Sequence, residues 1–189
     1  MKLLLHTCCA PCSVECIEAL LEENFEFSLF WYNPNIHPYT EYRSRRDSLK
    51  LLAEERALPL FEENEYGLRY FINETFCPVP KGIGQSSEAL RCALCYRMRL
   101  EKTAALAKEK TFAAFSTTLL ISPYQNHELI KHTGEELAAQ YGVEFLYRDF
   151  RQRFRRSREE ARKAGYYMQK YCGCIFSEEE RYLGKKGGA

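Results

Sequence analysis

No stretch of this 189-residue sequence is apolar for the length a membrane span requires, so a helical membrane protein is excluded. It carries no internal repeat and no extended low-complexity tract, which excludes solenoids and repeat arrays. Neither a GxGxxG string nor a GxxxxGK string followed by Ser or Thr occurs, and the loop Thr7 to Cys12 has no glycine at all. ATP and NAD chemistry thus lacks its usual backbone cradle, and Gly82-Ile83-Gly84 reads as a turn. Charge of one sign is also lacking: 27 basic residues stand against 26 acidic ones, so the chain as a whole favours no charged partner. Met1-Lys2-Leu3-Leu4-Leu5 runs straight into polar His6 and Thr7, without the apolar core of a secretory signal. The expected compartment is the reducing cytoplasm, which argues against a disulfide framework.

Cysteine, in contrast, is plentiful. Seven of the nine sit in three tight groups, Cys8-Cys9-Ala10-Pro11-Cys12, Cys92-Ala93-Leu94-Cys95 and Cys172-Gly173-Cys174. Two soft, charged thiolates two or three residues apart can grip one ion or cluster without stretching the backbone, so a metal centre is expected. Structural zinc is the rival reading, because paired CxxC motifs are a zinc signature. The long gap from Cys12 to Cys92 does not suit a zinc ribbon, and seven thiolates exceed the four that one zinc uses. Redox iron is therefore preferred over zinc and over cysteines without metal. Cys16 and Cys77 lie outside the groups and read as incidental thiols.

Hydrophobic periodicity alternates strand and helix along the chain. Strands are expected at Lys2 to His6, Phe27 to Tyr32, Leu58 to Phe61, Phe112 to Ser116 and Val143 to Tyr147. Helices are expected at Ser13 to Glu23, Glu41 to Ala57, Tyr66 to Thr75, Ser87 to Lys110 and Asn126 to Tyr141, with a loop from Pro78 to Gly84. Short apolar strands in βα units predict a three-layer α/β domain over residues 1–183, with a mostly parallel sheet and a cysteine-bearing helical C-terminal segment. Residues 184–189, rich in glycine and lysine, read as a flexible tail.

Ligands of open α/β sheets bind beyond the carboxyl ends of the strands, which is where the first cysteine group falls. Cys92 and Cys95 fall near the start of a long helix, whose dipole is expected to lower their pKa. Tyr32, Asp149, Tyr124 and His6 lie at or near strand exits, as candidate proton donors or water-positioning groups. Their bland readings are packing for the tyrosines, sheet capping for His6 and pairing with Arg148 or Arg151 for Asp149. From Arg148 to Lys170 basic residues outnumber acidic ones and interleave with Phe150, Phe154, Tyr166 and Tyr167. That mixture suits RNA, whose phosphates take Arg and Lys and whose unstacked bases take aromatic rings; a solvated helix is the alternative.

Five strings together carry a family resemblance: Leu4-Leu5-His6-Thr7-Cys8-Cys9-Ala10-Pro11-Cys12-Ser13; Tyr32-Asn33-Pro34-Asn35-Ile36 with Glu41-Tyr42-Arg43; Arg91-Cys92-Ala93-Leu94-Cys95-Tyr96-Arg97; Ser116-Thr117-Thr118 through Ser122-Pro123-Tyr124-Gln125; and Tyr171-Cys172-Gly173-Cys174. In this order they resemble the QueH family of epoxyqueuosine reductases. The resemblance implies a nucleotide-hydrolase-like fold of the HUP class and a cobalamin-independent oxidoreductase with a 4Fe-4S cluster. Its implied reaction removes the epoxide oxygen of epoxyqueuosine at the tRNA wobble position, so the partners are that tRNA and an unidentified low-potential electron donor. Cys8, Cys9, Cys92 and Cys95 become the lead cluster ligands, four thiolates completing one cubane. Cys12, Cys172 and Cys174 are left for a second centre, because the reaction needs two electrons and a cubane delivers them singly. Two forms stay open: a mononuclear iron on all three, at whose Cys12 position the family varies between Cys and Asp, or a redox disulfide of Cys172 with Cys174. Asn33, Asn35, Tyr42, Arg43, Arg91, Arg97 and Tyr124 from the matching strings, with Arg151, Arg155 and Arg156 from the basic segment, are the expected substrate contacts. The rival functions are a tRNA-thiolating or nucleotide-activating enzyme on a similar scaffold, and a zinc-stabilised RNA-binding module.

Overall fold

A computed structural model describes residues 2–75 and 87–184. Cys77, the expected Pro78 to Gly84 loop and the tail beyond Gly184 lie outside the described residues. Five strands form one sheet: β1 (Lys2–His6), β2 (Glu26–Trp31), β3 (Leu60–Glu62), β4 (Ala114–Thr117) and β5 (Glu144–Phe145). Every pairing is parallel, and the order is β3-β2-β1-β4-β5. Leu3, Leu4, Leu5, Leu29, Phe30, Trp31 and Phe115 are wholly buried, as strands covered on both faces require. Each such side chain contributes about 1.5–3 kcal/mol by leaving water.

Seven helices surround the sheet: α1 (Ala10–Glu22), α2 (Tyr39–Glu55), α3 (Leu68–Thr75), α4 (Ser87–Glu109), α5 (His127–Tyr141), α6 (Phe154–Lys163) and α7 (Ile175–Leu183). The chain winds outward from β1 to β3, then returns to β4 and winds the other way. Right-handed crossovers therefore put α1 and α2 on one face and α5 on the other. α6 packs on α1, and α3 and α5 pack on α4. The reversal between β1 and β4 opens a crevice at their carboxyl ends, the position where such sheets bind ligands.

Three local differences from expectation matter for the site. α1 starts at Ala10 rather than Ser13, because Pro11 occupies the first turn, where its missing N–H is no loss. Cys12 is thereby fixed on a helix. β5 has only two residues, since the chain leaves the sheet after Phe145. The segment 154–163 is a helix whose buried residues are Ser157 and Ala161, so it shows no apolar stripe in sequence. Ser157 ties it to α1, donating to the Pro11 carbonyl at 2.8 Å and accepting from the Glu15 N–H at 3.1 Å.

Just before α2, His37 is buried against Tyr66 and Phe71, with ring centroids 5.7 and 5.3 Å apart. Neither ring nitrogen has a hydrogen-bond partner among the described residues. Burial lowers its pKa from 6.5 to about 4. The folded chain thus holds this proton more weakly than the unfolded chain. Its contribution to stability is complete above pH 6.5 and is lost as pH falls toward 4, reaching about 2 kcal/mol of loss by pH 5. Urea unfolding at pH 7 and pH 5 checks this. His37→Phe is expected to remove that share of the acid sensitivity, and an unchanged pH slope in the variant rejects it.

Candidate active site

The first cysteine loop is pinned from both neighbouring strands. Thr7 donates its N–H and its hydroxyl to the Phe30 carbonyl, each at 2.9 Å, and Asn33 Nδ2 donates to the Thr7 carbonyl at 2.9 Å. From the β4 side, Thr118 Oγ1 accepts the Cys8 N–H at 3.3 Å and lies 3.7 Å from Cys8 Sγ. His6 is buried and bridges the same two elements, with Nδ1 2.9 Å from Thr117 Oγ1 and Nε2 3.1 Å from the Tyr32 carbonyl. Burial holds it neutral with a pKa of about 4, so it caps the sheet end.

So held, Cys8, Cys9 and Cys12 bring their sulfurs within 4.8 Å of one another. The thiols of Cys12 and Cys9 stabilise a Cys8 thiolate and drive its pKa well below the ordinary value. Cys12 is pushed up by sharing its proton with Cys8, and Cys9 is pushed up by burial. Of the three sulfurs, Cys8 is thus the one whose thiolate its neighbours favour. Three soft donors at one buried point could hold a metal ion, and binding would release the remaining protons.

Cys92 and Cys95 occupy the second and third turns of α4, and their side chains line a cavity with Cys172 and Cys174. The expected lowering of their pKa is not what the structure gives. Burial raises Cys92 to about 11 and Cys95 to about 12, because a helix dipole fades beyond the first turn while desolvation does not. The spatial grouping of thiols also differs from the expected division: Cys12 packs with Cys8 and Cys9, and Cys172 and Cys174 face Cys92 and Cys95. Cys172 and Cys174 are free thiols.

Arg45 clamps the last cysteine group in place. It is buried, paired with Glu41, and donates to the carbonyls of Cys172 at 2.9 Å and Tyr171 at 3.0 Å. Glu41 also accepts the Tyr167 hydroxyl. The Gly173 carbonyl accepts the His37 N–H at 2.8 Å, and the Tyr171 hydroxyl donates to the His37 carbonyl at 2.5 Å. Gly173 has a φ of +143°, and an added Cβ would meet Arg45 Nη1 at 3.2 Å and Ile36 at 3.3 Å. Glycine is required there by both conformation and space. Cys174 caps α7, its sulfur accepting the Ser177 N–H at 3.4 Å.

Between these groups runs a cleft of about 480 Å³ walled by Cys8, Cys12 and Cys172. Arg45, Arg99, Arg158, Lys170 and Arg181 line it, and among the described residues no acidic one does. Among the described residues, Arg158, Lys170 and Arg181 have no carboxylate within ion-pair distance, whereas five of the six cations chosen from sequence do, Arg43 being the exception. Arg151 pairs with Asp149, Arg155 with Glu159, Arg156 with Glu15, Arg97 with Glu136 and Arg91 with Glu180. Asp149 is held near pKa 2 by Arg151, the bland reading of that residue, and it does not line the cleft. Tyr32 stacks on Phe30, and Tyr42 is a core residue accepting the Trp31 indole N–H at 3.1 Å. Both are buried away from the cleft, with packing rather than contact as their observed role. Arg43 lies on the exposed side of α2. Tyr124 does line the cleft, 84% exposed, with its ring against Phe154. Asn33 is buried on Thr7. Asn35 lines both cavities, and its Oδ1 has no partner among the described residues.

Sequence reasoning passed over Gln125, Gln169, Arg181 and the role of Arg99. Gln169 donates to Cys12 Sγ and Gln125 to Cys172 Sγ, both at 3.5 Å. Arg99 is only 2% exposed and donates to the carbonyl of Cys95 at 2.9 Å and to its Sγ at 3.1 Å. A readable signal existed for Arg99, which follows Cys95 by four residues on a helix and so lies on the same face. None existed for Arg181.

A parallel sheet that gathers thiols instead of a phosphate cradle at its switch point marks a candidate thiol or metal site on an α/β scaffold. The family profile described as "Epoxyqueuosine reductase QueH" matches residues 3–180. Relatives named Epoxyqueuosine reductase QueH include one from Dehalococcoides mccartyi, 38% identical over 181 residues covering 96% of this chain and 94% of its own. Another, from Acinetobacter baylyi, is 38% identical and covers 93% and 80%, and one from Thermotoga maritima is 35% identical and covers 94% and 91%. The chain belongs to the QueH family.

Proposed function

We propose that this chain reduces epoxyqueuosine at the wobble position of tRNA to queuosine. The reaction consumes two electrons and two protons, breaks both C–O bonds of the epoxide, and yields an alkene and water. The observation that carries this reading is the convergence of Cys8, Cys12 and Cys172 on one cleft lined by cations and, among the described residues, free of carboxylates, beside a cavity in which Cys92 and Cys95 meet Cys172 and Cys174. A tRNA backbone is the polyanion such a cleft suits.

Cys8, Cys9, Cys92 and Cys95 are the proposed ligands of a 4Fe-4S cluster, and Cys12, Cys172 and Cys174 serve the second centre. The donor set fits in its chemistry, being soft sulfurs free of disulfides, with Cys8, Cys9, Cys12 and Cys95 buried. Bound there, the cluster supplies electrons one at a time at low potential. The thiols of Cys172 and Cys174, if they close to a disulfide, release two electrons and two protons, which is the full requirement of the reaction. As ligands of a mononuclear iron they would instead help polarise the epoxide oxygen. Tyr124 and Phe154 offer rings at the cleft mouth on which an unstacked base can rest. Anaerobic incubation with epoxyqueuosine-containing tRNA and a low-potential reductant, followed by nucleoside analysis, tests the activity. Queuosine is expected, and unchanged epoxyqueuosine from iron-replete protein rejects it.

The cleft cations give a separable prediction. Replacing Arg158, Lys170 or Arg181 by Ala is expected to weaken tRNA binding and to lower the slope of log K against log salt by roughly 0.7–0.9 per lost phosphate contact. Arg155→Ala, which breaks only an exposed pair with Glu159, should leave the slope unchanged. Equal slopes in all four variants exclude this surface as the RNA site.

A further inference from the structure

Two buried arginines stand beside the thiols, and their neutralisation differs. Arg45 has the Glu41 carboxylate, whereas Arg99 has no carboxylate within ion-pair distance among the described residues. Arg99 lines both cavities, the one that holds Cys8 and Cys12 and the one that holds Cys92, Cys95 and Cys174, as does Cys172. Its Nη2 donates directly to Cys95 Sγ, and Nε fixes the guanidinium on the Cys95 carbonyl. A buried cation without a counter-charge is strongly unfavourable, so one must come from what the sulfurs become. Thiolates bound to a metal centre supply it, and more fully than thiols that still hold their protons.

We propose that Arg99 is the positioning residue that neutralises the metal–thiolate centre and sets its reduction potential. This rests on the reading of the thiols as cluster ligands. Each electron that enters makes the centre one charge more negative, and a fixed cation within hydrogen-bonding distance of a ligand sulfur stabilises that reduced form more than the oxidised one. Burial keeps water from screening the interaction. Arg99 therefore raises the potential, so that a modest electron donor can reduce the centre.

The test is an anaerobic redox titration of the iron-replete full chain, followed by electron paramagnetic resonance, with Arg99→Gln, Arg99→Met and Arg99→Lys beside the wild type. Both neutral variants should need at least a tenfold higher ratio of reductant to oxidant for half-reduction, a shift of about 59 mV to more negative potential for one electron. Arg99→Lys should stay close to the wild type. If the neutral variants fold by circular dichroism yet lose iron while Arg99→Lys keeps it, charge compensation is supported at the level of assembly. Neutral variants that keep both iron and the wild-type midpoint overturn the proposal, as does equal loss of iron from all three folded variants. Iron and sulfide content of the wild type tests the cluster reading separately, since wild-type protein without either fails that reading and leaves no midpoint to compare.

Discussion

Serine at Cys9 is expected to strip the protein of most of its iron and, with it, of activity. Cys9 is buried, shares a 4.8 Å cluster of sulfurs with Cys8 and Cys12, and caps the N-terminus of α1. Loss of an outer-sphere partner alone commonly costs a metal site 10–100-fold in affinity, so loss of a ligand should lower iron occupancy at least about tenfold. A serine hydroxyl in a buried sulfur's place also costs about 1–3 kcal/mol if unpaired, so circular dichroism must accompany the iron assay. Folded Cys9→Ser protein with full iron and sulfide would remove Cys9 from the ligand set. Stoichiometric zinc in the anaerobically isolated wild type would instead favour the structural-zinc reading.

Serine at Cys172 is expected to have the opposite signature: little loss of iron–sulfur absorbance, but turnover reduced by roughly three orders of magnitude or more. Groups that act as a unit in catalysis lose nearly everything when one member is removed. Cys172 faces the cleft and Gln125, on a loop fixed through its backbone by Arg45 and His37. The substitution therefore changes one atom on a scaffold that stays put. Mössbauer spectra of the wild type separate the two forms of the second centre. A mononuclear component that disappears in Cys172→Ser assigns an iron there; its absence from the wild type leaves the Cys172 and Cys174 dithiol. Turnover near the wild-type rate in Cys172→Ser refutes both.

What could be read in the sequence followed from how strongly each element depends on its own residues. Strands such as Leu3-Leu4-Leu5 are buried on both faces, so an apolar run identifies them without further context. That Cys8, Cys9 and Cys12 come together was readable for a similar reason, because their spacing is a local property; which groups would meet one another was not. α6 was not, since Ser157 and Ala161 are the residues it buries. The roles of charged residues were the least legible, because an arginine's availability depends on acids remote in sequence. Arg153 and Arg156, for example, both converge on buried Glu15 in α1, leaving Arg158 from the same helix for the cleft. Tyr42 shows the same limit: it lies beside Arg43 in a matching string, yet its hydroxyl serves Trp31 in the core.

The thinness of α7's attachment carries a consequence. The helix buries none of its own residues; it is tied back by Arg91 to Glu180, by Phe176 against Arg91 and Phe71, by Tyr182 against Tyr171, and by the loop through Cys172 and Cys174. On the proposed assignment, a metal held by Cys12 with Cys172 and Cys174 would act as a staple on this last segment. Iron loss would loosen the C-terminus first, while the sheet, whose core is hydrocarbon, has no need of it.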